Sequence, residues 1–277
     1  MKKLLFLLLA LSLAVGFLAA GDYEADFLAG LEFGIENVNK ANDENMTPYL
    51  MPIFIFEGSF LDEALDLYAE LNYTFGFADK FKQSLFADLI FAYNFEIGRA
   101  STLSFILQNE FDEIIISPVT KGINKLEGIF TPAIKFEQEF KFGDFFVNAG
   151  VPVTYIQYDK DAGTEVGLDF TVGLESVFGL VLEFKLLTLL VPGDDAGYHG
   201  FEAIAGYEIR PAYFEVEVIV PEDVRDEGIT ITPLLEFGFR NWIFYLECEV
   251  AGLGAAKAAG ADSRVTASPA LGVKFSF

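Results

Sequence analysis

The chain has 277 residues, 18 basic against 42 acidic, for a formal net charge of -24. That balance excludes nucleic acid as a partner, because a polyanion needs neutralising bases. It does not signal disorder: 52% of the residues are hydrophobic, with 31 Phe and 11 Tyr, far too apolar for an unfolded acidic chain. Acid and grease must therefore be separated in space.

The N-terminus carries Lys2 and Lys3, then an apolar run from Leu4 to Ala20, then Gly21 and Asp22. This basic, apolar, small-residue order predicts a cleaved secretory signal over residues 1–21, leaving 22–277 as one domain. The run is close to the minimum of ~17 residues for a spanning helix, and no comparable stretch follows it. Cys248 is the only cysteine, so no internal disulfide is possible.

Beyond residue 22 the pattern has period two, which predicts strands. In chain order they are expected at about 23–36, 47–57, 63–75, 82–97, 101–113, 126–141, 145–158, 164–176, 180–191, 199–210, 213–220, 228–240, 242–252 and 264–277, fourteen in all, with twelve as the alternative count. Short links at Gly58, Gly98 to Ala100, Phe142 to Asp144, Phe178 to Gly179, Pro211 to Ala212 and Arg240 to Asn241 alternate with longer, more charged ones. Without a second apolar helix, a membrane can be crossed only by a closed barrel, since open sheet edges are not satisfied in hydrocarbon. The fold class is accordingly an all-β, transmembrane, antiparallel up-and-down β-barrel with both termini periplasmic.

The two faces of each strand differ. Phe27, Ala29, Leu31, Phe33 and Ile35 oppose Glu24, Asp26, Glu32 and Glu36, and Leu85, Leu89, Phe91, Tyr93 and Phe95 oppose Asp88, Asn94 and Glu96. Later, Val166, Leu168, Phe170, Val172 and Leu174 oppose Asp169, Thr171 and Glu175, while Trp242, Phe244, Leu246 and Val250 oppose Glu247 and Glu249. The outward face is free of charge, as ~2 to 4 kcal/mol for a basic side chain at the bilayer midplane requires. Two features fit less simply. Pro48, Pro52, Pro132, Pro152, Pro233 and Pro269 lie inside strands, where bulges are expected, and the strand at 47–57 is apolar on both faces.

In the last strand, Val265, Ala267, Pro269, Leu271, Val273, Phe275 and Phe277 share one face and the chain ends on an aromatic carboxylate. This resembles the closing strand of bacterial outer-membrane β-barrels, porin-like ones in particular. The resemblance implies an outer-membrane location, a lipid surround and recognition of Phe277 and Phe275 by the outer-membrane assembly machinery.

Many carboxylates turned inward cannot sit in a dry core, and fourteen strands leave room for water. The expected function is a monomeric porin-like channel passing cations and small polar solutes by passive diffusion. Glu32, Glu70, Asp88, Asp169, Glu175, Glu217, Glu236 and Glu247 are the lumen-lining acids, with Lys135 and Lys185 setting a transverse field. The run Ile114 to Val119 reads either as an inward constriction or as an extension of its two strands. A transporter of hydrophobic compounds, resembling the fatty-acid transporters, is the alternative, supported by Met51, Ile53, Ile55, Leu187, Leu189 and Ile219 on the inner wall. A hydrolase is the third, resting on His199 beside Asp194 and Asp195. Neither enzyme activity, cofactor nor metal site is expected, since no cluster has the needed spacing.

Overall fold

The computed structural model describes residues 23–36, 47–61, 64–77, 82–116, 123–157, 163–189, 197–225, 227–255 and 265–277. They form β1 (Tyr23–Glu36), β2 (Thr47–Phe60), β3 (Leu65–Gly76), β4 (Lys82–Glu96), β5 (Ser101–Ile116), β6 (Ile123–Phe140), β7 (Gly143–Gly150), β8 (Val153–Gln157), β9 (Gly163–Ser176), β10 (Leu180–Leu189), β11 (Gly197–Ile209), β12 (Ala212–Pro221), β13 (Ile229–Phe239), β14 (Trp242–Leu253) and β15 (Thr266–Ser276). The proposed signal, residues 1–21, lies outside the described residues.

Apart from β7 and β8, which do not pair with each other, each strand pairs antiparallel with its sequence neighbours, and β1 pairs with β15, which closes the sheet. β7 and β8 both lie between β6 and β9. They are two halves of one wall strand interrupted at Val151 and Pro152, so fourteen strands form the barrel. Following the residue pairings once around returns to β1 displaced by about 16 residues. With strands about 4.8 Å apart and a rise of about 3.3 Å per residue, that shear gives a tilt of about 40° and a backbone radius of about 13 to 14 Å. Inward side chains about 6 Å long cannot meet across such a ring. In keeping with that, none of the described side chains is fully buried.

The outer surface is the apolar face expected from the sequence. Leu31, Phe33, Phe91, Phe105, Leu107, Phe170, Phe184, Phe214, Phe244 and Leu271 are all exposed there, as suits a wall with lipid outside. Among the described residues the strand cores place no charge on this face. Asn109 does lie on it, accepting a hydrogen bond from the Tyr155 hydroxyl at 3.4 Å. The surface is also not uniformly bulky: Ala203 and Ala205 of β11 floor a shallow hollow bordered by Phe145, Leu182, Phe184 and Val216.

At one end the chain reverses in tight turns, and both β1 and β15 have their outer ends there. The turn expected at Gly58 is instead at Leu61 to Ala64, because β2 runs on to Phe60, pairing Ser59 with Asp66. Gly179 shows why such turns demand glycine: its φ is +85°, and a Cβ there would stand 2.7 Å from the Glu208 carbonyl oxygen. At the other end, β5 and β6 extend past their neighbours, pairing Ile114 with Leu126 and Ile116 with Ile123. The Ile114 to Ile116 part of the proposed constriction is thus ladder, not an inward fold; residues 117–122 lie outside the described residues.

The strand prolines are not bulged. The register shifts fall at Leu85/Ala87, Glu110/Glu113, Ile115/Ile116, Leu187/Thr188 and Ile229/Ile231. Pro52, Pro132, Pro233 and Pro269 instead sit beside a one-sided gap. Pro52 pairs with Leu31 of β1 while the ladder to β3 skips from Leu50 to Ile53. Pro233 pairs with Val216 of β12 while the ladder to β14 skips from Ile231 to Leu234. Pro269 pairs with Cys248 just beyond the last β1 contact, Ala270. A missing N–H is tolerated where one neighbour has already let go.

Candidate functional site

The inner wall carries the charge, and it has two halves. The first is built around the closure of the barrel on β14, β15, β1 and β2. β15 and β1 present small inward residues, Ala270, Gly272, Gly30 and Gly34, and the tyrosines of the flanking strands lie over them. A Cβ on Gly272 would fall 2.1 Å from the Tyr245 ring, and one on Gly34 would fall 2.4 Å from the Tyr49 ring. Aromatic rings laid over strand glycines recover packing that glycine forfeits. The two hydroxyls converge on one carboxylate: Tyr49 donates to Glu32 Oε1 at 2.6 Å and Tyr245 to Oε2 at 2.5 Å. Ile53 and Ile55 complete a cluster with Tyr245, and Met51, Leu28, Leu234 and Tyr68 pack against it.

This explains why β2 is apolar on both faces. Phe54 meets lipid while Ile53 and Ile55 are covered by a ring from β14, whose hydroxyl reaches across 213 residues of sequence. It also accounts for Glu32, which faces inward as expected but is only 7% exposed, with both oxygens engaged.

The second half spans β6 to β12. Lys185 Nζ stands between Asp169 and Glu202, 3.9 Å from each. Lys135 pairs with Glu137 at 2.6 Å and lies 4.7 Å above the Phe146 ring. Glu217 and Glu183 share this inner face. Tyr213 covers Gly206 and donates to Glu215 at 2.5 Å, repeating on a small scale the motif at the closure. Glu175 is exposed near the Val177 to Gly179 turn, at the rim.

Of the remaining predicted residues, Glu247 belongs to the closure, and Glu236, Glu70 and Asp88 lie between the halves. Glu236 is 3.9 Å from Lys274, whose ammonium sits 4.9 Å above the Tyr245 ring. Glu247 faces inward on β14 next to Ala270. Glu70 takes the Tyr68 hydroxyl at 2.5 Å and the Asn72 amide at 2.6 Å, and Asp88 takes the Gln108 amide at 3.1 Å. The period-two pattern identified the acids but not the tyrosines, because an aromatic on either face fits a barrel strand equally well. Leu187, Leu189 and His199 belong to β10 and β11, but their side chains lie outside the described residues. Ile219 is inward on β12, opposite Glu202.

Phe275 and Phe277 are outside, at the turn end. Phe277 is 72% exposed, its N–H donates to the Phe27 carbonyl at 3.0 Å, and its ring is 5.0 Å from Phe275, which is 4.7 Å from Trp242. They form an aromatic patch of the kind found where a barrel meets the membrane surface.

No protein-family model matches the chain, and no curated protein matches it in sequence. In structure it is similar to the outer membrane phospholipase A of Escherichia coli, at 10% identity over 94% of this chain and 96% of that one, with a TM-score of 0.50. An active-site mutant of that enzyme gives 11% identity, 90% and 89% coverage and a TM-score of 0.51. OccK9 (OpdG) of Pseudomonas aeruginosa gives 9% identity, 92% and 98% coverage and a TM-score of 0.48. At such identities the likeness is one of fold, and that fold is the closed antiparallel β-barrel of bacterial outer-membrane proteins.

Proposed function

We propose that the protein is an outer-membrane diffusion channel for cations and small polar solutes, with its termini and tight turns on the periplasmic side. One observation carries the proposal: among the described residues the inner wall bears a large excess of carboxylates over bases and holds no fully buried side chain. Same-sign charge lining a low-dielectric passage concentrates counter-ions. Asp169, Glu183, Glu202, Glu215 and Glu217, with Lys185 and Lys135 among them, form the charged wall past which solutes move. Purified protein in planar bilayers should show single-channel conductance, with a reversal potential of cation-selective sign under a salt gradient. Absence of conductance, or an anion-selective sign, would sink the proposal.

The inner cluster of Ile53, Ile55 and Tyr245 favours a second reading, in which the barrel takes up hydrophobic compounds. Saturable binding of a fluorescent fatty acid to the purified barrel, weakened by Ile53→Glu, would support it. A hydrolase shares only the fold with this chain; release of fatty acid from phospholipid vesicles, lost on His199→Ala, is the result that would establish one.

A further inference from the structure

Three carboxylates stand side by side on the inner wall beside the tyrosine cluster, Glu70 lying opposite Ile55. Glu70 of β3 is directly opposite Asp88 of β4, and Asp88 is directly opposite Glu110 of β5. With strands about 4.8 Å apart, three negative charges fall within about 10 Å. Like charges directly opposite on a ladder repel, and among the described residues no Lys or Arg pairs with Glu70 or Asp88.

The hydrogen bonding there is incomplete in a specific way. Both Glu70 oxygens are occupied, by Tyr68 and Asn72. Gln108 of β5 donates to Asp88 Oδ2, which leaves Oδ1. That oxygen is buried without a hydrogen-bond partner, and so is Oδ1 of Asn72, in side chains that are each only 9% exposed. Asn72 pairs with Phe86, two residues from Asp88, so the two orphan oxygens belong to diagonal neighbours flanking Glu70. Buried acceptors are rarely left unsatisfied, and both of these are oxygens without a donor beside a surplus of negative charge.

We propose that Asp88, Asn72 and Glu70 form a binding site for a divalent hard cation of the calcium or magnesium type. Carboxylate and amide oxygens are the ligands such ions take, at 2.3 to 2.6 Å for calcium, with water completing the shell. One cation removes the repulsion and satisfies both orphan oxygens. The site requires only that water and ions reach the inner wall, a premise shared with the channel proposal.

Calcium chloride titrated into the folded, detergent-solubilised barrel should show one saturating site by calorimetry and raise the thermal unfolding midpoint. Asp88→Asn and Asn72→Ala should each weaken that binding by about tenfold or more, and Asp88→Asn should raise the midpoint of the calcium-free protein by removing repulsion. Glu222→Gln, in the exposed link after β12, should bind as the parent does. Unchanged binding in both variants, or no saturating site in the parent, overturns the proposal. A calcium-free midpoint raised by Asp88→Asn in a parent blind to calcium means that the carboxylates repel with no cation between them, and overturns the site. Conductance distinguishes the two proposals: a conducting barrel that binds no calcium loses only the site, and a silent barrel that binds calcium loses only the channel.

Discussion

The inner wall at the closure of the barrel and the wall facing it are built from the same residue types to opposite ends. Around β14, β15, β1 and β2 the acid is buried: Glu32 has a tyrosine on each oxygen and a floor of glycine beneath the rings. On the facing wall, around β9 and β10, Lys185 stands 3.9 Å from both Asp169 and Glu202. The first arrangement is directional and desolvated, where a lost hydrogen bond leaves a charge stranded. The second is looser, with ion-pair distances of 3.9 Å between side chains 16 to 32% exposed, closer to the surface regime in which a pair contributes ~0 to 1 kcal/mol. The closure should therefore govern stability, and the opposite wall should govern what passes.

The largest effect is expected from Gly272→Val. The new side chain occupies the space of the Tyr245 ring, which already lies 2.1 Å from the position of a Cβ. Moving the ring uncovers Ile53 and Ile55 and strands Glu32 together, so the variant should lose ~3 kcal/mol or more, or fail to close. Urea unfolding in detergent micelles, or loss of the heat-modifiable band on gels, reads this. Stability equal to the parent would mean that the closure is not held by the ring.

Tyr245→Phe tests the hydrogen bond without the packing. It keeps the ring over Gly272 but leaves Glu32 Oε2 without its donor, and a buried charged acceptor left unmade costs ~1 to 3 kcal/mol. The unfolding midpoint should fall by a corresponding amount while conductance and selectivity stay as in the parent. An equal shift from Tyr213→Phe, on the far half where Glu215 is less enclosed, would erase the contrast between the halves.

These pairings also mark where sequence stops being informative. Strand positions and faces were legible because lipid outside and water inside impose period two on every strand independently. Glu32 followed that rule as an inward acid, yet its burial depends on Tyr245, 213 residues away, and on the smallness of Gly272 and Gly34, none of which has a local signature. The prolines are similar. Whether Pro233 needs a bulge depends on whether β14 is hydrogen-bonded beside it, a property of register between strands. Pro152 shows the limit of this tolerance, since the wall strand breaks there into β7 and β8, held across the break by the Val151 N–H on the Pro132 carbonyl at 3.0 Å and the Gly167 N–H on the Pro152 carbonyl at 2.8 Å. The corresponding reading of 145–158 as one strand was right in path and wrong in continuity.

The smallest stability change, and the most direct test of the far wall, is expected from Lys185→Met. At 3.9 Å from both Asp169 and Glu202, the ammonium is too distant for a tight hydrogen bond to either, so its removal should shift stability by no more than ~1 kcal/mol. Its electrostatic effect is different in kind. Removing one positive charge leaves Asp169, Glu202 and Glu183 facing the passage with one base fewer, so the ratio of cation to anion permeability should rise at 0.1 M salt, where the screening length is about 10 Å. Raising the salt to 1 M shortens that length to about 3 Å, and parent and variant should then converge. A difference that survives high salt would point to Lys185 holding the shape of the wall, and a variant that loses stability as Tyr245→Phe does would show that the two halves are held in the same way.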